Sequence, residues 1–591
     1  MIILGIGSPF NHDPAAALLV NGKVEAAAEE ERFTRDKHAI RALPVNAVRF
    51  CLERAGIRTS DVDVLAFPWS PDSWRRKRGA YVRRCLLSRP SRAFKALVSA
   101  RSERERRERK IRDTLAATGF DGKKPEIRWV DHHLAHASST YHLSGFDEAA
   151  ILSIDGSGEF ATTVFAEGKG SRIEVIHEII NPDSLGFLYS TVTEFLGFHR
   201  DDGEFKTMGM SAYGDPTRVD VSPLLSQTEN GFRINDDLVW ATRGRRAHTD
   251  KMYSRELVQM WGPPRKGDGL SEPYTHIAAA TQRALETTVL RLLEKHLAPG
   301  LARHGRLCLA GGCALNVRMN RKILEHPLVK EIFVQPAAHD AGAPLGAATY
   351  VAAEEGEKIV PMQHAYLGPS YSDEQIRAAL DRFRIPHLKL DDVEKRTAEL
   401  LASGQIVAWF QGAMEYGPRA LGNRSILGNP STPGLSDEIN ARIKFRENWR
   451  PFCPSMLAEA APEILGTSHP SPYMTFSFLV QESWRSRIKE AVHVDGTARP
   501  HIVDAGHNPR FHRLLDEFRK ITDIPVLINT SLNRRGEPMV CSPEDALAMF
   551  FGCGLEHLVL GDFYVTKKTT GEGALGAARD RDEMIAAGGT R

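Results

Sequence analysis

I-I-L-G-I-G-S-P-F-N-H-D-P-A-A-A-L-L-V-N-G-K, residues 2–23, is the stretch that decides the fold. It reads as a strand Ile2–Ile6, a polar loop, a strand Ala15–Val20, the turn Asn21-Gly22 and a third strand from Lys23. Asn-Gly between apolar runs is a strong hairpin signal, because the tight turn that matches strand twist needs two residues that tolerate positive φ. The same grammar returns further on: strand Ile151–Ile154, loop Asp155-Gly156-Ser157-Gly158-Glu159, strand Ala161–Ala166, a Gly-Lys-Gly turn and strand Arg172–Ile176. Two such passages predict one α/β domain built from two halves of like topology.

Working outward, the apolar run Leu307–Ala310 enters Gly311-Gly312 and then a helical pattern from about Ala314. A strand, paired glycines and a helix start together present backbone N–H groups to a phosphate, although turn geometry alone also explains such glycines. A second junction follows, with strand Ile332–Val334, loop Pro336–Asp340 and an Ala/Gly-rich helix from about Ala341 to Ala353. The charged, aperiodic stretch Glu354–Met362 ends in a proline-containing segment and reads as a linker. Beyond it a fresh α/β alternation begins with helices Asp373–Phe383 and Val393–Ser403 and strand Ile406–Phe410. The expected organisation is a first domain over 1–355, a linker over 356–366, a second domain over 367–570 and a poorly ordered tail over 571–591. Residues 72–112 form a densely basic insertion in the first domain. It reads either as a solvated helical insertion packed by one apolar face or as a contact to an anionic partner or membrane surface.

At 591 residues the chain exceeds one ordinary core, which agrees with two domains. Its net charge of +2 supplies no whole-molecule argument for a nucleic-acid partner, so any anion site is local. Seven cysteines without a C-x-x-C pair argue against a disulfide framework and a structural zinc module, and point to a reducing compartment. The N-terminal residues carry no basic leader and no apolar run long enough to span a bilayer, so the expected location is cytoplasmic.

Two constellations carry chemistry. In E-Y-G-P-R-A-L-G-N-R-S (415–425) and I-N-A-R-I-K-F-R-E-N-W-R-P-F (439–452), Arg419, Arg424, Lys444, Arg446 and Arg450 stand among glycines, prolines and apolar residues. Guanidinium groups fixed in such a setting hold phosphate or carboxylate by paired hydrogen bonds, or form ordinary ion pairs. In Asp131-His132-His133-Leu134-Ala135-His136, Asp131 has the N-cap position of a helix on which His132 and His136, four apart, share a face. With Asp155 and Asp340 at the ends of two core strands, the set offers two nitrogens and two oxygens, suited to Fe(II), Mn or Zn.

Together with H-D-P-A-A-A-L (12–18), A-E-E-E-R-F-T-R-D-K-H (28–38), H-H-L-A-H-A (132–137), D-G-S-G-E (155–159), K-T-M-G-M-S-A-Y-G (206–214), G-G-C-A-L-N (311–316) and N-T-S-L-N (529–533), these segments resemble the O-carbamoyltransferases of the nodulation and tobramycin type. The resemblance covers nearly all of residues 1–570. It implies a duplicated actin/sugar-kinase-like (Kae1-like) N-terminal domain and a YrdC-like C-terminal domain. It further implies transfer of the carbamoyl group of carbamoyl phosphate, through a carbamoyl-adenylate made with ATP and Mg2+, to a hydroxyl-bearing acceptor. By resemblance, Arg419, Arg424, Lys444, Arg450, Asn529 and Ser531 bind carbamoyl phosphate. Lys37, Gly156, Gly158, Gly311, Gly312 and Asn316 hold the nucleotide, and His132, His136, Asp155 and Asp340 hold Fe2+ or another divalent transition metal. Among the catalytic residues, with Arg419, Lys444 and Arg450, His12 is expected as general base, a hydrogen-bonded structural role being its alternative, and Lys206 as a positioning residue. A homodimer is compatible with the family.

The sequence departs from the pattern at Asn423, where a second basic residue is expected before Arg424, and in the basic insertion. Competing readings are threonylcarbamoylation of tRNA and a regulator that binds nucleotide and metal without turnover. The fusion order and the sparse aromatics of the insertion speak against the first, and the retention of every arginine and metal ligand against the second.

Overall fold

Asn21 and Gly22 both adopt positive φ, 50° and 76°, and the turn they make joins the second and third strands of a five-stranded sheet. In the computed structural model of the chain, which describes residues 1–7, 12–86, 89–98, 100–120, 125–239 and 250–567, that sheet contains β1 (Ile2–Gly7), β2 (Ala15–Val20), β3 (Lys23–Glu29), β4 (Val64–Phe67) and β5 (Glu126–Trp129). Its order is β3-β2-β1-β4-β5, with β1, β2 and β3 antiparallel and β4 and β5 parallel to β1.

The second sheet repeats this plan. It contains β6 (Glu148–Ile154), β7 (Ala161–Lys169) and β8 (Arg172–Ile180). After a separate hairpin of β9 (Leu225–Gln227) and β10 (Phe232–Ile234) come β11 (Arg306–Ala310) and β12 (Glu331–Val334). The order is β8-β7-β6-β11-β12, with β6, β7 and β8 antiparallel and β11 and β12 parallel to β6. The expected duplication is therefore present strand for strand.

The halves exchange helices. Helix His132–Ser144 leaves the end of the first sheet and packs on β6, β7 and β11, while helix Ala343–Glu354 leaves the second sheet and packs on β1, β2 and β4. The two helices also pack on each other, and only small residues allow it: a Cβ at Gly346 would stand 1.8 Å from the Ala135 carbonyl oxygen. Each half thus delivers a strand end and a helix start to the cleft between the sheets.

An eight-stranded sheet forms the C-terminal region: β13 (Leu388–Lys389), β14 (Val407–Phe410), β15 (Arg424–Gly428), β16 (Cys453–Leu457), β19 (His501–Val503), β20 (Val526–Ser531), β21 (His557–Leu560) and β22 (Phe563–Thr566). The intervening β17 (Phe478–Leu479) and β18 (Thr497–Ala498) pair separately. The order is β13-β22-β21-β14-β15-β20-β16-β19. Trp409, Leu427, Leu514 and Phe518 fill one face, while Phe410, Ile426, Leu547 and Phe550 fill the other.

The expected linker lies along the first half as extended chain, with Val360 N–H donating to Gly22 O and Met362 N–H to Leu143 O. The basic insertion is a set of helices, Pro71–Cys85, Pro90–Val98 and Ala100–Ala117. The tail 571–591 lies outside the described residues. Among the described residues no helix is long and apolar enough to cross a membrane.

Candidate functional site

Helix His132–Ser144 begins as its sequence predicts. The Asp131 carboxylate accepts hydrogen bonds from the N–H groups of His133 and Leu134, fixing the N-cap. His132 and His136 then project from one face, and His133 turns into the core, where its ring meets Ser153 Oγ at 2.8 Å and Ala161 O at 3.1 Å.

Asp155 follows the last residue of β6, and Asp340 stands in the loop after β12. His132 Nε2 lies 3.1 Å from Asp155 Oδ2 and 3.5 Å from Asp340 Oδ1. His136 Nε2 lies 3.6 Å and 3.7 Å from the same atoms, and 3.1 Å from His132 Nε2. Ligand atoms bound at about 2.1 Å around one cation stand roughly 3.0–3.5 Å apart, so these four residues fit a divalent transition metal. Their charges agree. Burial opposes a charged ring at His132, yet Asp340 and Asp155 raise its pKa to about 9. The two half-buried carboxylates thus favour positive charge at this position.

The glycine loops support this cluster. Gly312 N–H donates to Asp155 Oδ1 at 3.1 Å, and a Cβ on Gly312 would stand 2.9 Å from that oxygen. Gly311, at φ 87°, would drive a Cβ into Ile154 O, and Gly158 would place one 3.0 Å from His132 Cβ. Gly156 faces the Phe187 ring. Asn316 departs from the expected nucleotide contact: its side chain caps the next helix at Met319 N–H and exchanges hydrogen bonds with Gln282 in both directions. Those bonds commit both ends of its amide.

Near these four residues, His12 Nδ1 meets Asp13 Oδ2 at 2.9 Å, and His38 Nδ1 meets Asp13 Oδ1 at 2.8 Å. Burial would lower the His12 pKa, but Asp13 and Asp340 raise it to about 10, an effect tempered by a ring that is 33% exposed. Lys37 and His38 both pair with Asp202. Asp13, His38 and Asp202 are site neighbours that sequence reasoning left unassigned; Asp13 and His38 stood within quoted motifs, while Asp202 carried no signal.

The C-terminal cluster gathers at one end of the eight-stranded sheet. Lys444 Nζ is ringed by oxygens, Ser531 O at 2.8 Å, Ser531 Oγ at 3.2 Å, Asn533 O at 2.8 Å and Asn533 Oδ1 at 2.7 Å. Burial, then Arg446, Arg450 and Lys37, hold its pKa well below the usual ammonium value. Arg450 lies 3.5 Å from Glu447, which also meets Lys206 at 3.2 Å and Arg535 at 3.8 Å. Burial, Arg499 and Arg450 push the Arg419 pKa down to about 9. Because a guanidinium keeps its proton in proteins, that pressure becomes affinity for an anion. Arg446 donates to Asn440 Oδ1 at 2.6 Å and leaves a buried Nη2 without a hydrogen-bond partner. Arg499 reaches Cys453 Sγ at 3.0 Å and 2.8 Å, bringing to the cluster a cation that no motif had marked.

Arg424 departs from the expected phosphate contact. Its guanidinium is fully buried over the Phe410 ring, 3.6 Å from the centroid. It donates to the carbonyl oxygens of Gln411, Gly412, Asn423 and Pro369. Arg424 starts β15 and points into the core, so its donors serve the loop, not a phosphate. Asn529 is also interior, donating to Ala420 O at 3.2 Å and Ser455 Oγ at 2.8 Å with its Oδ1 unpartnered. Asn423 likewise knits Gln411, Asn508 and Ala413 together, so the departure from the expected basic residue costs no surface cation.

The two clusters are joined. Gly417 N–H donates to Glu29 Oε1 at 2.9 Å, and Arg32 returns a bond to Gly417 O at 3.0 Å. Arg35 reaches Pro538 O at 2.8 Å.

The family model described as carbamoyltransferase N-terminus matches residues 2–349, and that described as carbamoyltransferase C-terminus matches residues 398–567. An uncharacterized protein of Synechocystis sp. is 38% identical over 96% of this chain and 96% of its own length. Nodulation protein NolNO of Sinorhizobium fredii is 37% identical over 96% of this chain and 80% of its own. Nodulation protein U of Rhizobium tropici is 28% identical over 98% of both. Among solved structures, component A of the Acidaminococcus fermentans (R)-2-hydroxyglutaryl-CoA dehydratase covers 60% of this chain and 99% of its own, at 12% identity and a TM-score of 0.31, too loose a likeness to argue from.

Proposed function

This chain belongs to the carbamoyltransferase family and is an enzyme that transfers a carbamoyl group, and we propose that it does so from carbamoyl phosphate, with ATP, to a hydroxyl of its acceptor. The observation that carries this reading is the cluster of Arg419, Lys444, Arg446, Arg450 and Arg499, a buried lysine among half-buried arginines that face Glu447 and little other negative charge. Such a cluster is incomplete without a bound anion.

In this scheme the cluster receives carbamoyl phosphate, with forked guanidinium donors on the phosphate oxygens. Water attacks the phosphorus of carbamoyl phosphate and the P–O bond to the carbamoyl oxygen breaks, so inorganic phosphate leaves and carbamate remains; the carbamate oxygen then attacks the α-phosphorus of ATP and expels pyrophosphate, giving carbamoyl-adenylate. Mg2+ accompanies the nucleotide, and Arg419 and Arg450 offset the charge that develops. The acceptor hydroxyl oxygen then attacks the carbamoyl carbon, its proton leaves to a base and AMP departs. His132, His136, Asp155 and Asp340 would hold a divalent transition metal, which when bound would supply positive charge to the transfer site.

His12 stands at that second site with Asp13 fixing its ring. Against the pull of burial, Asp13 raises the proton affinity of the ring, and the protonated imidazole first serves as a hydrogen-bond donor to the carbamoyl group. It becomes the base when cations brought by the substrates lower its proton affinity. Lys37, His38 and Asp202 line the interval between His12 and Arg450, whose charge also responds to Asp202. A labile acyl-adenylate passed directly between the two sites spends less time in bulk water.

The test is ATP–pyrophosphate exchange with and without carbamoyl phosphate, beside Arg450→Ala. Exchange that needs carbamoyl phosphate and disappears in the variant supports the scheme. Exchange absent in the parent protein, with nucleotide still bound, would sink it.

A further inference from the structure

The inner face of the basic insertion is fully employed. Lys77 Nζ meets Asp131 Oδ2 at 2.8 Å and Glu178 Oε1 at 2.7 Å, Arg84 pairs with Asp183 at 3.0 Å, and Arg89 meets Asp236 at 3.3 Å. Tyr81 stacks on Phe160, with ring centroids 4.5 Å apart. These contacts seat helix Pro71–Cys85 beside the Asp155–Glu159 loop and the N-cap of the metal-site helix.

The outer face is inverted with respect to a water-facing surface. In helix Pro90–Val98 the small residues Ala93 and Ala96 turn inward, while Phe94, Leu97 and Val98, spaced i, i+3 and i+4 on one stripe, are 66%, 52% and 62% exposed. Leu86, at the end of the preceding helix, is 56% exposed. Its own stripe, by spacings of three and seven residues, carries Arg83 and Arg76, both exposed, and Lys95 is exposed beside Phe94. From residue 71 to residue 98 the sequence has nine lysines and arginines against one acidic residue, Asp72, which is paired with Arg75. On each of the two helices, exposed cations thus stand next to exposed apolar side chains.

We propose that this face of the insertion, Leu86, Phe94, Leu97 and Val98 with Arg76, Arg83 and Lys95, docks the enzyme on an anionic lipid bilayer. A bilayer interface accepts apolar side chains from a convex surface without needing a matching groove, and its acidic headgroups complement the surrounding cations. An acidic peptide would match the charge and leave the apolar stripe in water. The enzyme lies on the surface, spanning nothing, with its metal-site side turned toward the interface.

The test is co-sedimentation of the full chain with vesicles of phosphatidylglycerol and phosphatidylcholine in equal parts, beside vesicles of phosphatidylcholine alone. The expected result is about tenfold preference for the anionic vesicles, reduced by raised salt. Phe94→Glu with Leu97→Glu lowers binding about tenfold, and Arg83→Gln with Lys95→Gln lowers it severalfold. Both variants keep carbamoyl-phosphate-dependent ATP–pyrophosphate exchange, because none of these side chains lies in the phosphate or metal clusters. Absence of binding to anionic vesicles, or binding that the variants leave unchanged, overturns the proposal. Light scattering without vesicles covers the remaining occupant: an oligomer of the parent protein that the double glutamate variant converts to monomer would assign the face to a second copy of the chain.

Discussion

The Tyr416 hydroxyl donates a hydrogen bond to the carbonyl oxygen of Ala341 across the boundary between the duplicated sheets and the C-terminal sheet. Ala341 follows Asp340, a candidate metal ligand, and Tyr416 lies three residues before Arg419 of the cation cluster. One buried bond therefore ties the loop of each site to the other.

Tyr416→Phe keeps the ring and removes the donor, leaving the Ala341 carbonyl without that partner. The expected cost is about 1–3 kcal/mol by denaturant unfolding. Carbamoyl-dependent ATP–pyrophosphate exchange should survive while transfer to acceptor falls, since adenylate formation and transfer occupy opposite sides of this bond. Equal loss of both half-reactions would argue against its coupling role.

Arg419→Ala and Arg424→Ala should part company. Arg424 satisfies the carbonyl oxygens of Gln411, Gly412, Asn423 and Pro369, so its removal costs about 3 kcal/mol or more, seen as a fall in Tm and soluble yield. Arg419 is a half-buried cation pressed by Arg499 and Arg450, so its loss leaves stability unchanged or improved. Stabilisation by added carbamoyl phosphate should then be weakened about tenfold or more in apparent affinity. The reverse ordering of Tm values would refute the assignment.

The His38–Asp13 tie has a definite pH signature. Burial would lower the His38 pKa, but hydrogen bonds to Asp13 and Asp202 raise it to about 10, against 6.5 for an unperturbed ring. The stabilisation is fully present below pH 6.5 and is lost as pH rises through about 10. The penalty of His38→Asn, followed by urea unfolding at a series of pH values, should shrink across that window. A penalty that does not vary with pH would show that packing, not charge, explains the position.

His136→Ala should remove stoichiometric transition metal, measured by elemental analysis after reconstitution, and abolish transfer. It should leave carbamoyl-dependent exchange in place, because the cation cluster belongs to the other sheet. Retention of a full equivalent of metal by the variant would displace the site from these four residues.

Much of this was legible because it is local. Asn21-Gly22 announced a turn through its tolerance of positive φ, Asp131 announced a helix start, and four-residue spacing placed His132 and His136 on one face. Equally short-range signals could not tell Arg419 from Arg424, two arginines five residues apart in the same motif. Which of them faces an anion depends on Arg424 opening β15 beneath Phe410. Arg499 and Asp202 were silent, because their meaning comes from partners far along the chain. The partner of Asn316 is equally distant in sequence: Gln282, 34 residues earlier, holds its amide.

From sequence alone came the duplicated strand grammar, the family resemblance and the residue types able to bind metal and phosphate. Backbone preferences, side-chain periodicity and donor chemistry are properties of short segments, and a short segment carries them wherever it sits. The tertiary structure alone decided which of those residues share a site, which arginine was given to carbonyl oxygens, and how Tyr416 fastens one cluster to the other. Those outcomes depend on burial and on electrostatics between distant segments, which exist only once the sheets have packed.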